Sequence, residues 1–235
     1  MFSAVLLLIG VFSGNFLNGA QNQPASASPD FSGLWELGYD GRSVPPATLT
    51  VKAQTRDPKE IVTHDLNAMR WCILVGLPQL MDPGEPLDIV QDSKQLLITG
   101  DRAPGQARHI YLNAKHPDMD TFDPQVVGHS TAKWQGDTLV VDTIGFSDKG
   151  MLAIPGGGWR TETSHLVERY RLLDGGRLLS ITFTWEDPAV FEKPHTYEFR
   201  YNRLPEGTSA HTYRCDASDR SRADFILRAL PGSNH

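Results

Sequence analysis

The chain has few cysteines, no block of basic residues and no long apolar run, and each shortage narrows what it can be. Its 235 residues contain two cysteines, Cys72 and Cys215. Their spacing excludes a C-x-x-C redox pair and a four-thiolate metal site. In an oxidising compartment an even count favours one disulfide, Cys72–Cys215, and the alternative is two buried thiols. Formal net charge is −6 and Lys/Arg clusters are missing, which argues against nucleic acid and anionic membrane as partners. The longest apolar stretch, Ala4 to Phe12, is too short to span a bilayer, so no stable membrane span is expected. Chemical signatures are missing too. There is no H-E-x-x-H, no H-x-H, no paired C-x-x-C and no G-x-S-x-G, so no cofactor and no metal are expected.

What is present begins with the first twenty residues. They are uncharged and apolar, and small residues follow at Gly19-Ala20 and Ala25-Ser26-Ala27. This pattern predicts a secretory signal peptide over 1–20, cleaved after Ala20 or Ala27, although Met1-Phe2-Ser3 lacks the usual basic residue. A polar linker over 21–29 and a single domain over 30–235 would follow. The mature protein is then secreted or periplasmic.

From Phe31 onward the dominant signal is alternation with period two. Phe31, Trp35, Leu37 and Tyr39 mark a first strand, and Thr48–Ala53 is β-branched and alternating. Leu87–Val90 with Gln95–Thr99, Ser130–Trp134 with Thr138–Ile144, and Ser164–Leu173 with Arg177–Glu186 read as hairpins, the last around Asp174-Gly175-Gly176. Arg108–Leu112, Tyr197–Arg203 and His211–Cys215 are further strands. Helix is sparse: Asp57-Pro58 starts one running to about Arg70, and Ala223–Leu230 is a short second. So many strands with almost no helix between them imply an all-β fold. We expect a single antiparallel lipocalin-like (calycin-type) β-barrel, with a two-sheet sandwich as the alternative.

Alternation also assigns faces. Leu139, Val141 and Thr143 share one face of their strand, and Val140, Asp142 and Ile144 the other. Leu166, Glu168, Tyr170 and Leu172 share a face of the next. A carboxylate bracketed by apolar residues, as Asp142 and Glu168 are, lies either at a strand end in solvent or paired inside a cavity.

The ordered motifs are Cys72 with Gly76-Leu-Pro-Gln-Leu-Met81, Ile89-Val-Gln91, Arg108-His-Ile-Tyr111, His116-Pro117, Gly128-His-Ser130, Trp134-Gln-Gly-Asp-Thr-Leu-Val-Val-Asp-Thr-Ile-Gly-Phe146, Glu168-Arg-Tyr170, Asp187-Pro188 and Lys193-Pro194. In this order they resemble a widespread group of secreted bacterial proteins, over about Asp30 to Cys215. The resemblance implies export and brings no activity with it. Members of the group often read Pro-His-Ser-Glu where this chain has Trp159-Arg160-Thr161-Glu162, so the Glu is kept and the imidazole is replaced by Arg160.

The middle of the chain concentrates chemistry. Asp118-x-Asp120-x-x-Asp123 lacks the central Gly and closing Glu of a calcium loop, and reads as a solvated acidic segment. His129 and Ser130 are neighbours on one strand and point to opposite faces, which separates any Ser–His pair. General acid–base chemistry remains, because imidazoles titrate near neutrality. The candidate residues are His129, His116, Glu162, Asp142 and Tyr111, converging at one barrel mouth. The reading is a cofactor-independent acid–base enzyme (lyase, isomerase or hydrolase) acting on a small apolar or aromatic molecule. Its alternatives are a non-catalytic small-molecule-binding barrel and an envelope interaction domain without a cavity. Fold alone does not choose among them.

Overall fold

A computed structural model describes residues 28–70, 75–82, 86–100 and 106–209. The segment expected to be a signal peptide, Cys72 with Cys215, and the elements expected at His211–Cys215 and Ala223–Leu230 lie outside them.

Nine strands form one closed barrel in sequence order: β1 (Gly33–Ser43), β2 (Leu87–Gln91), β3 (Gln95–Gly100), β4 (Ala107–Leu112), β5 (His129–Gln135), β6 (Thr138–Ile144), β7 (His165–Leu173), β8 (Leu178–Glu186) and β9 (His195–Arg203). β1 meets β9 to complete the circle, and the sandwich alternative falls away. Eight of the nine pairings are antiparallel and one, β4 with β5, is parallel. The expected wholly antiparallel barrel is therefore corrected, and the reason is parity. An odd number of strands cannot alternate direction all the way round a circle, so at least one neighbouring pair must run parallel. The parallel step falls where residues 113–128 carry the chain back to the end at which β4 began.

A second correction concerns Thr48–Ala53, expected as a strand. Only Leu49 bridges, to Phe191. Thr50 instead caps a one-turn helix, α1 (Val51–Gln54), its Oγ1 accepting the Ala53 N–H at 3.1 Å. A Thr at a helix start satisfies a backbone donor that the β-branched pattern alone does not reveal. The second helix, α2 (Pro58–Arg70), lies where expected, with Asp57 Oδ1 accepting the Lys59 N–H at 2.9 Å. Its buried Asp65 accepts the backbone N–H groups of Leu152 at 2.7 Å and Ala153 at 3.0 Å, which ties α2 to the loop between β6 and β7.

Alternation sets what faces inward. Trp35, Tyr170, Phe183, Trp185, Tyr197, Phe199 and Tyr201 are fully or almost fully buried, and their rings occupy the lumen. Edge-to-face and stacked contacts link them, among them Phe183–Tyr197 at 4.9 Å. Glu168 also points inward and is paired, but with Arg108 rather than with its neighbour Arg169. Arg108 Nη1 donates to Glu168 Oε1 at 2.9 Å and to Tyr170 Oη at 3.2 Å, and Nη2 donates to Glu168 Oε2. Ser130 Oγ accepts from Nε at 3.3 Å and from Nη2 at 3.1 Å, and Thr143 Oγ1 accepts from Nη2 at 3.1 Å. Burial works against the charge on Arg108, and the Glu168 carboxylate more than offsets it, raising the pKa above the ordinary arginine value.

Candidate functional site

The polar residues that alternation sends outward on β5 to β8 meet one another on the outer wall, near the end of the barrel where β6 stops. Register explains the meeting. Thr131 of β5 faces Asp142 of β6, Asp142 faces Val167 of β7, and His165 of β7 faces Glu186 of β8. Long polar side chains on adjacent strands reach across such pairs and their diagonals.

The result is a continuous hydrogen-bonded row. His129 Nδ1 lies 2.9 Å from His116 Nδ1. His116 Nε2 lies 2.8 Å from Asp142 Oδ1, and the other oxygen of Asp142 lies 2.7 Å from His165 Nε2. His165 Nδ1 completes the row at 3.2 Å from Glu186 Oε2. Tyr111 of β4 stacks on His129 with ring centroids 5.4 Å apart, and Phe122 meets the same imidazole edge-on at 5.7 Å.

Two glycines make room for this packing. Gly128 precedes His129 at φ +65°, and a Cβ there would lie 2.8 Å from Ile144 O. Gly145 has φ +73°, and its Cβ would meet the Phe122 ring at 2.8 Å. The Gly-His-Ser and Ile-Gly-Phe motifs thus reflect a left-handed backbone and close contacts as well as chemistry.

Bonding decides the protonation states. Both ring nitrogens of His165 face carboxylates, so both carry hydrogen and the ring is a cation. The hydrogen bond to Asp142 raises its pKa above the ordinary value, against the effect of burial. That same bond, with the one from His116, holds the Asp142 carboxyl below the usual range despite partial burial. His129 is opposite in sense: burial and the neighbouring His116 lower its pKa and keep it neutral. In the tautomer in which a neutral His116 donates from Nε2 to Asp142, its Nδ1 accepts the Nδ1–H of His129. The Nε2 lone pair of His129 is then left without a partner among the described residues. Asp142, His116 and His129 in that order form a relay ending in a base.

Next to the row lies a recess of about 290 Å³. Met119, Phe122 and Pro124 of the crossover segment, Ile144 to Phe146, and Glu162 to His165 wall it. Phe122 belongs to both features, edge-on to His129 and part of the recess wall.

Of the residues chosen from sequence, His116, His129, Asp142 and Tyr111 come together. Glu162 lies apart from that group, in the recess beside His165. The expected location is corrected: the group sits on the outside of the wall, because Asp142 shares its outward face with Val140 and Ile144 while Val141 and Thr143 point in. Ser130 is buried in the lumen with Arg108, on the face opposite His129, as strand geometry requires. In the acidic loop, Asp118 Oδ1 accepts the Asp120 N–H at 3.1 Å. Among the described residues no three His, Cys, Asp or Glu side chains gather as metal ligands.

Sequence reasoning missed His165 and Glu186. The signal was there. Counting back from the Asp174-Gly175-Gly176 turn, with Leu173 opposite Leu178, places His165 opposite Glu186. No protein-family model, curated protein or solved structure matches the chain.

The row implies a definite pH dependence. A histidine with a raised pKa contributes stability that is full below the ordinary value of about 6.5 and is lost as pH climbs through the raised one. Asp142, with a lowered pKa, contributes fully above about 3.9 and loses its share in stronger acid. The stability difference between wild type and His165→Gln should therefore be largest at about pH 4 to 6.5 and shrink on the alkaline side. Urea unfolding across this range measures it, and a difference that grows with pH would contradict the ionic row.

Proposed function

We propose that the protein is a cofactor-independent acid–base enzyme of lyase, isomerase or hydrolase type, acting outside the cytoplasm on a small apolar or aromatic molecule held in the recess. The observation that supports this most is the Asp142–His116–His129 relay, which leaves a neutral imidazole base beside an apolar recess that also carries Glu162 and His165. Proton transfer needs a base and an acid within reach of one substrate, and Phe122, which touches His129 and also lines the recess, joins the two features. Export belongs to the same proposal, from the leader pattern and the resemblance to secreted bacterial proteins.

The lipocalin-like alternative, a carrier that holds its ligand inside the barrel, has less in its favour. The lumen is occupied by aromatic rings and the Arg108–Glu168 pair, and the open recess lies on the outer wall.

The test is incubation with a panel of single-ring aromatic and short apolar molecules in heavy water. Nuclear magnetic resonance then reads deuterium exchange, elimination, isomerisation and hydrolysis in one experiment. His129→Ala should lower the rate of the active compound by about 10²–10⁴-fold, the usual contribution of a general base, with the melting temperature nearly unchanged. No turnover by wild type, or equal turnover by the variant, sinks the proposal.

A further inference from the structure

We infer that the recess selects a small organic cation, an apolar or aromatic body bearing a protonated amine, with Glu162 as its counter-ion. This rests on the reading of the recess as the binding site and adds the charge of what it binds.

Glu162 supplies the first argument. It lies on the recess wall and engages no partner among the described residues. The other charges nearby are already committed. His165, the cation that faces the recess, is held between Asp142 and Glu186 at 2.7 and 3.2 Å, so that group of three is net negative. Behind Ser164 lies the buried Asp187, whose Oδ2 accepts the hydroxyls of Ser164 at 2.7 Å and Thr161 at 2.6 Å and has no cation against it. Arg160 is the second nearby cation. It is buried, with its guanidinium 5.7 Å from the Phe146 ring centroid, and it donates to the carbonyls of Ser147, Lys149 and Met151. His165 and Arg160 are thus outnumbered by Asp142, Glu186, Asp187 and Glu162, with Asp65 and Asp148 also close enough to act on Arg160, and the negative excess faces the recess through Glu162.

The walls supply the second argument. Phe122, Met119 and Ile144 border the recess. Ring faces attract cations, a ligand seated on the apolar walls would displace water from one side of the exposed carboxylate, and the small volume suits a single-ring molecule. An anion would meet Glu162 with no free positive partner. A neutral ligand would leave the carboxylate partly desolvated and unpaired, which costs affinity.

The test uses three probes of nearly equal shape: benzylammonium, benzyl alcohol and benzoate. Binding to the full chain is followed by calorimetry, and by chemical-shift changes at His165 and Phe122, at low ionic strength. Benzylammonium should bind about tenfold or more tightly than benzyl alcohol, with benzoate weakest, a gap of the order expected for a partly desolvated ion pair with cation–π support. Glu162→Gln should erase most of the preference, and Phe122→Leu should weaken all three probes. Since Glu162 has no partner, its replacement should not disturb folding, and an unchanged melting temperature verifies that. Equal or tighter binding of benzyl alcohol or benzoate overturns the charge assignment while leaving the recess as the site. Absence of binding by any probe overturns the inference as well, and the His129→Ala turnover result then stands or falls separately.

Discussion

Replacing Glu168 with Gln should destabilise the barrel by about 3–5 kcal/mol, the usual cost of removing one partner of a buried ion pair. The carboxylate is fully buried and takes both forks of Arg108. Without it a charged guanidinium stays in a lumen of aromatic rings, with the hydroxyls of Tyr170, Ser130 and Thr143 as its dipolar company. For a domain of this size the loss amounts to about 6–20 °C in melting temperature. The paired variant Arg108→Met with Glu168→Met should lose far less, because both charges leave together and their volume is kept. Urea unfolding of the two variants decides the matter. A Glu168→Gln protein within about 1 kcal/mol of wild type would show that the pair is not what specifies the lumen.

Replacing Asp142 with Asn should affect the proposed chemistry as strongly as replacing His129. One carboxylate serves both imidazoles, accepting from His116 on one oxygen and from His165 on the other. An amide of the same shape presents one acceptor and one donor. Whichever imidazole meets the donor must offer a lone pair, so either His116 turns its tautomer and loses its hold on His129, or His165 gives up its charge. On the proposed function, turnover should fall by about 10²–10⁴-fold, as for loss of an orienting carboxylate behind a catalytic imidazole. A spectroscopic readout separates this from mere damage. In a ring-nitrogen titration, His165 should lose its raised pKa in the variant, while wild type titrates above the ordinary value. An unaltered His165 titration together with unaltered ring-nitrogen signals of His116 and His129 would refute the shared-carboxylate account.

The sequence made some of this legible and hid the rest for physical reasons. Alternation placed Val141 and Thr143 on one face and Asp142 on the other, because side-chain direction in a strand is a local property. It also left Glu168 either at a strand end in solvent or paired inside, and the structure shows it paired inside. What local pattern lacks is the sense of closure. Nothing in Ser130–Trp134 by itself says that β5 runs parallel to β4. Asp142 was bracketed by Val140 and Ile144 whether that face looked at water or at the lumen, so the group was expected at the mouth and is found on the outer wall. Thr50 misled because a β-branched residue is equally at home in a strand and at a helix cap. His165 went unnoticed although its position opposite Glu186 follows from the turn, since cross-strand partners appear only when register is counted residue by residue.

Closure with an odd number of strands has a practical consequence for the segment 113–128. Surface connections are normally the parts of a protein that tolerate shortening. Here the connection reverses the direction of travel, and replacing it with a tight hairpin would send β5 the other way along β4. Every later strand would then arrive inverted, and β9 would meet β1 with its hydrogen-bonding pattern mismatched. The stretch that brings His116, Met119 and Phe122 to the wall is the one stretch of connecting chain between described strands that cannot be trimmed to a turn. Domain-insertion experiments should leave it whole and use the Asp174-Gly175-Gly176 turn, where there is open space within 4 Å, while keeping the two glycines themselves, whose φ of +62° and +88° disfavours other residues.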